Sequence, residues 1–164
     1  MLELRVQTED ALLACLLYSD TARETAREMG LEAKHFSDSY LYRPTKARFY
    51  KAIMASPKTG YIAAAEQLSR MNMYFEGDGH KLLSLVELAL SVAPDYESYI
   101  ESIKKEWLDG EIEKYKNAGD YEGITDILAD FNNSKSSNNL NNSNFSNVSK
   151  FLNTSKMLNG GEND

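Results

Sequence analysis

The residues of this chain that could do chemistry are few and scattered. Its one cysteine, Cys15, lies among leucines in Leu13-Ala14-Cys15-Leu16-Leu17, where a thiol reads as an inert buried group. No histidine stands near it in sequence to serve as a base. The two histidines, His35 and His80, are far from each other and from Cys15, whereas metal sites draw on ligands at short, regular spacing. Both read as partly exposed connector residues. Gly77-Asp78-Gly79-His80-Lys81 comes nearest to a phosphate-cradling glycine loop, but lacks the spacing, the Ser or Thr after the lysine, and a preceding strand. It reads as a turn between helices. The carboxylate pairs Glu9/Asp10, Glu111/Glu113 and Asp126/Asp130 fall where helix caps and solvated faces account for them. No residue set has both the types and the spacing for a reaction, so the expectation is a protein without catalytic residues, cofactor or metal.

Two other groupings stand out. Arg43, Lys46, Arg48 and Lys51 accompany Tyr42, Phe49 and Tyr50 on one segment, the only stretch resembling a nucleic-acid footprint. An acidic partner surface suits it equally well. Trp107, Tyr99 and Tyr96 gather on a single long helical segment, and Trp and Tyr are favoured at interfaces because each joins a large apolar area to a polar handle.

Composition sets the frame for these groups. The chain has 164 residues, 18 Lys+Arg against 25 Asp+Glu, and a formal net charge of -7. That balance opposes broad binding to nucleic acid or anionic membrane, so nucleic-acid binding is expected to be weak or indirect. One cysteine cannot form an internal disulfide. The longest apolar run, Ala11 to Tyr18, is less than half of the roughly 20 residues a membrane span needs. Met1-Leu2-Glu3-Leu4-Arg5 lacks the layout of a secretory signal, and a cytoplasmic, reducing location is expected. Charge is uneven: residues 1–131 carry net -8, and the rest, rich in Asn and Ser, carry net +1. Residues 132–164 are therefore expected to be disordered. Within them Phe145, Val148, Phe151 and Leu152 sit at near-helical spacing.

The elements that must position these groups read as helices throughout. Thr8 with Glu9 and Asp10 looks like the cap of a first helix carrying Leu12, Leu13, Leu16 and Leu17. A second helix starts at Ser19 or Asp20 and stops at Gly30. Leu31 to Tyr40 connects, placing Phe36 in the core. The third helix is expected over 43–55 with Pro44 in its first turn, and Ser56-Pro57-Lys58-Thr59-Gly60 breaks it. A fourth, 61–71, turns Ile62, Ala65 and Leu68 to one side. Leu82, Leu83, Val86, Ala89 and Leu90 follow the spacing of a fifth, which ends before Pro94. The sixth aligns Tyr96, Tyr99, Ile100, Ile103 and Trp107, with Gly110 a candidate bend. Asn117-Ala118-Gly119-Asp120 stops it, and a seventh, 121–131, folds back as an antiparallel hairpin. The expected architecture is all-α: a helical head over 1–94, a hairpin over 95–131 and a tail over 132–164.

Three stretches carry a family resemblance. They are Glu9-Asp10-Ala11-Leu12-Leu13-Ala14-Cys15-Leu16-Leu17, Lys34-His35-Phe36, and Tyr42-Arg43-Pro44-Thr45-Lys46-Ala47-Arg48-Phe49-Tyr50-Lys51-Ala52-Ile53. Together with Ala64-Ala65-Glu66-Gln67-Leu68, Leu82 to Pro94, and Tyr99-Ile100-Glu101-Ser102-Ile103, they resemble the N-terminal domain of DnaB-type replicative helicases. The helicase-binding C-terminal domain of bacterial primases is similar in fold. The resemblance spans about residues 8–131 and rests on hydrophobic patterns. The family's glycine in the first helix is replaced by Ala14 or Cys15, and its third-helix histidine by Thr45 or Lys46. Where those helicases continue into an ATPase domain, the Asn/Ser-rich stretch follows here.

The resemblance implies a non-catalytic interaction module of DNA replication, in which the head contacts primase or neighbouring subunits and the last two helices pair with another copy. The implied pairing face is Tyr99, Ile103, Trp107, Ile112, Ile124, Ile127 and Leu128, and the implied partners are a second copy and a replicative helicase or primase. Two alternatives are a primase-type helicase-docking domain and a small helical regulator that binds DNA through Arg43, Lys46, Arg48 and Lys51.

Overall fold

A computed structural model describes the backbone of residues 2–135 and the side chains of residues 7–133. The described residues are all-α, with no strand: α1 Leu2–Tyr18, α2 Asp20–Glu28, a 3-10 turn at Ala33–His35, α3 Lys46–Ala55, α4 Tyr61–Arg70, α5 Asp78–Ala89, α6 Tyr96–Ala118 and α7 Tyr121–Lys135. None of these helices is long and apolar enough to cross a membrane. The chain divides into two compact units, one ending at Glu111 and the other beginning at Ile112. The first four turns of α6 fall in the first unit. The tail expected from 132 lies outside the described residues from 136 onward, and α7 itself runs through Asn132 and Asn133 to Lys135.

In the first unit α1 is the axis, packed on α5 and α3, with α4 against α3 and α5. Leu12, Leu13, Ala14, Leu16 and Leu17 are all fully buried, so α1 is apolar on nearly every side, as a central helix must be. It does not start at Thr8. Leu, Glu, Arg and Gln before it favour helix, and the backbone is helical from Leu2. The second helix starts and ends as expected. The Ser19 side chain accepts from the Ala22 amide, and Gly30 at φ 64° lets the Leu31 amide reach the Ala26 carbonyl.

The third helix begins at Lys46, three residues later than expected. Residues before a proline resist helical backbone, and the start is fixed from outside the helix. Asp38 Oδ2 accepts from the amides of Thr45 (2.7 Å) and Lys46 (2.6 Å), and Oδ1 accepts from Ala47 (3.0 Å). In α4 and α5 the inward faces are Ala64 with Leu68 and Leu82 with Leu85. Ile62, Leu83 and Leu90, which follow the same helical spacing, are exposed. The inward stripe of each helix is narrower than the set of apolar residues it carries, and the remainder stand partly or fully in water.

α6 passes through Gly110 without interruption. In the second unit, Gly119 at φ 69° ends α6 and the Asp120 amide donates to the Tyr115 carbonyl. Asp120 Oδ1 then accepts from the Gly123 amide at 2.9 Å, capping α7. A Cβ on Gly123 would lie 2.6 Å from the Tyr115 ring, so α7 returns tightly over the last turns of α6.

Charged groups inside the first unit hold its links. Arg48 is buried and pairs with the fully buried Asp78 through both guanidinium nitrogens, while donating to the carbonyls of Pro44 and Met73. Removing one member strands the other charge out of water. Asp78→Leu should therefore cost about 3–5 kcal/mol in urea unfolding, and adding Arg48→Met should recover much of it. Equal losses in the single and double variants would contradict this coupling.

Candidate functional site

The sequence placed its candidates on two surfaces, and the structure redistributes both. Of the basic group on α3, Arg48 is inside with Asp78. Lys46 reaches Glu9 at 3.0 Å and Asp10 at 3.5 Å, with most of its side chain covered. Neither forms part of an open cationic patch. Arg43 is exposed but lies before the helix, its guanidinium 5.0 Å from the Phe75 ring and 5.9 Å from the Tyr42 ring. Lys51 is exposed on α3. A nucleic-acid footprint of four aligned cations is thus not present, because half of them neutralise carboxylates of α1 and α5.

Glu9, read from sequence as a residue of a first helical turn, is the acceptor of this arrangement. It is 0% exposed, and its two oxygens accept from the Ser37 amide (2.7 Å), the Ser37 hydroxyl (2.6 Å) and Lys46. Asp10 beside it is pushed up by burial, with Lys46 opposing. Burial would also push Asp78 up, but the bonds from Arg48 and the Phe75 amide, with the charges of Arg48 and Lys81, hold it below the usual carboxylate range. Its contribution to stability is present above the ordinary aspartate value and is lost as pH falls through the lower folded one.

His35 was expected to be a partly exposed connector residue and is buried. Its Nδ1 accepts from the Glu32 amide at 2.9 Å, and its ring meets Trp107 edge-on at 4.7 Å between centroids. His80 is exposed, on α5 rather than in a connector. The half-buried Cys15 thiol, 4.0 Å from the Ala93 carbonyl, is pushed up by burial. Among the described residues no three His, Cys, Asp or Glu side chains are grouped to hold a metal ion.

The expected pairing face splits in the same way. Ile103 and Ile124 are each 1% exposed, so the chain's own packing already covers them and neither is a surface residue. Tyr99 is half-buried against the core, with its hydroxyl donating to the Ala93 carbonyl at 3.0 Å. Trp107 is half-buried under Lys34, whose ammonium stands 5.5 Å from the ring centroid, as well as beside His35. Ile112, Ile127 and Leu128 are partly exposed in the second unit, and Tyr115 joins them in exposure class.

Several structural residues had escaped the sequence reading. Arg23 is buried and donates to the carbonyls of Leu16 (2.8 Å), Ser56 (3.1 Å) and Lys58 (3.2 Å), and Lys104 is buried with its ammonium on the Met29 carbonyl. The available signal was position: Arg23 sits between Ala22 and Ala26 on the small-residue face of α2, and Lys104 follows Ile100 and Ile103. Tyr40 and Tyr42, 81% and 95% exposed, project from the link before α3.

Compared with protein-family models, with curated proteins and with solved structures, the chain finds no match.

His35 gives the site a defined response to acid. Burial, then the charges of Lys104 and Lys34, lower it from 6.5 to about 4, against a smaller opposite effect of Glu32. Between those values the unfolded chain takes up a proton that the folded chain excludes. Stability is therefore full above about pH 6.5 and falls by about 3 kcal/mol as pH drops toward 4. Urea melts across this interval should show the slope in the native protein and lose it in His35→Gln, which keeps an acceptor for the Glu32 amide. A flat native profile would contradict the assignment.

Proposed function

We propose that the chain is a non-catalytic protein-interaction module of DNA replication that works in the cytoplasm and self-associates through its last two helices, in the manner of the helicase N-terminal domains it resembles. The observation that carries the reading is the distribution of apolar side chains in the second unit. Ile124 is closed off, while Ile112, Tyr115, Ile127 and Leu128 remain partly open on helices joined by a tight capped turn. Apolar side chains held on rigid helices form the kind of surface that buries well against a second copy, since little ordering is left to oppose association. The charged residues point the same way. With Arg48 and Lys46 engaged by Asp78 and Glu9, the DNA-binding alternative loses half of the cations it required.

A face of four such side chains is small beside the roughly 800 Å² per partner of a standard interface, so the association belongs in the micromolar range. The pairing face is accordingly narrower than the sequence suggested, and a primase or helicase partner would meet the remaining surface of the head.

Sedimentation of the full chain over about 1–100 µM should show a reversible dimer or larger species. Ile127→Glu together with Leu128→Glu should abolish it while leaving the helical circular dichroism intact. A monomer at every concentration would overturn self-association, and a monomer captured by a helicase collar would instead support the docking alternative.

A further inference from the structure

An open groove of about 680 Å³ lies in the first unit between the link after α2, α3 and the end of α4. Its floor is Leu31, Ala33, Tyr50, Met54, Ala55 and Met71. The size falls within the roughly 300–1,000 Å³ of ligand-binding clefts, but the groove is a shallow trough rather than an enclosed pocket. Two of its walls are methionines, which are unbranched and adapt to the shape of an incoming apolar side chain. Tyr50 beneath them is only 7% exposed, its hydroxyl donating to the Leu31 carbonyl at 2.6 Å.

The edge of the groove reverses the charge of the chain. The whole sequence carries -7, yet Lys34 and Lys51 line the groove and Arg27 is tied to it by a bond to the Met54 carbonyl at 3.3 Å. Against these three cations stands Glu32, which bridges Lys34 at 2.9 Å with both side chains more than half exposed. An exposed bridge of this kind exchanges partners at little cost. We propose that this groove docks an acidic amphipathic helix of a partner protein, its apolar face on Met54, Ala55 and Met71 and its carboxylates toward Arg27, Lys34 and Lys51. A nucleic-acid strand suits the groove less well, since the floor presents no exposed aromatic ring on which a base could stack. The proposal does not depend on the pairing of the terminal helices.

The probe is a helix-forming peptide with leucine at every third and fourth position and glutamate elsewhere, paired with a twin carrying lysine in place of glutamate. The full chain, with isotope-labelled methionine methyl groups, reports binding by nuclear magnetic resonance. The glutamate peptide should bind at about 10–100 µM and shift the Met54 and Met71 resonances, and the lysine twin should bind at least about ten-fold more weakly. Arg27→Glu with Lys51→Glu should weaken the glutamate peptide about ten-fold, and Ala55→Arg, at an exposed position that a larger side chain leaves folded, should remove the shifts. Equal binding of the two peptides, or shifts confined to other methionines, would overturn the proposal. It would also fall if Met54 and Met71 shifted on concentrating the protein alone, which would seat a second copy there. Movement of the same resonances in Phe145→Ser with Phe151→Ser, without peptide, would assign the groove to the chain's own C-terminal segment and equally overturn it.

Discussion

The fold of the first unit depends on charged side chains that satisfy helix ends and the links beside them, most of them from a different helix or link. A helix leaves amides unpaired at its start and carbonyls unpaired at its end, and its dipole favours an anion at the first and a cation at the second. The unit follows that polarity closely. Asp38 takes the first amides of α3, and Asp78, the opening residue of α5, takes the Phe75 amide just ahead of it. Arg23 takes carbonyls from the last turn of α1 and from just beyond α3, Arg48 takes the Met73 carbonyl after α4, and Lys104 takes the Met29 carbonyl at the end of α2. Because Arg23, Arg48, Asp78 and Lys104 are buried and Asp38 is partly so, a link that leaves its place strands a charge without its partner.

This arrangement decides what is left for function. Two of the four cations that would make α3 a polyanion-binding helix, Lys46 and Arg48, are spent on internal carboxylates and carbonyls. The surfaces that remain differ in kind: partly open apolar residues on the terminal helices, tyrosines standing out before α3, and a methionine-floored groove with a basic edge. All of them suit protein surfaces better than phosphates. The proposed reading as an interaction module grows from this division of labour.

The helical class and most of its punctuation were legible in the sequence. Gly30, the Ser56–Gly60 break, and the Gly119-Asp120 stop and cap act locally, through φ preferences and bonds between near neighbours, and local effects are what a single sequence displays. The errors share the opposite cause. Thr8 to Asp10 has the composition of a cap, but Glu9 is engaged by Ser37 and Lys46, whose nearness only the tertiary fold creates. The delayed start of α3 follows from Asp38, and the burial of His35 from Trp107 on a helix many residues away. Ile103 and Ile124 read as partner surface because a helical stripe shows that it must be covered without showing by what. Leu83 and Leu90 share the spacing of a helical stripe yet stand in water, since an apolar residue is sometimes simply left exposed.

The direct measurement is amide hydrogen exchange in the native chain. If the Asp38 and Asp78 carboxylates fix the links, the amides of Thr45, Lys46, Ala47 and Phe75 should exchange only when the whole unit unfolds, as slowly as those in the middle of α1. Fast exchange at these four amides beside a protected α1 would mean that the links open freely, contradicting the account.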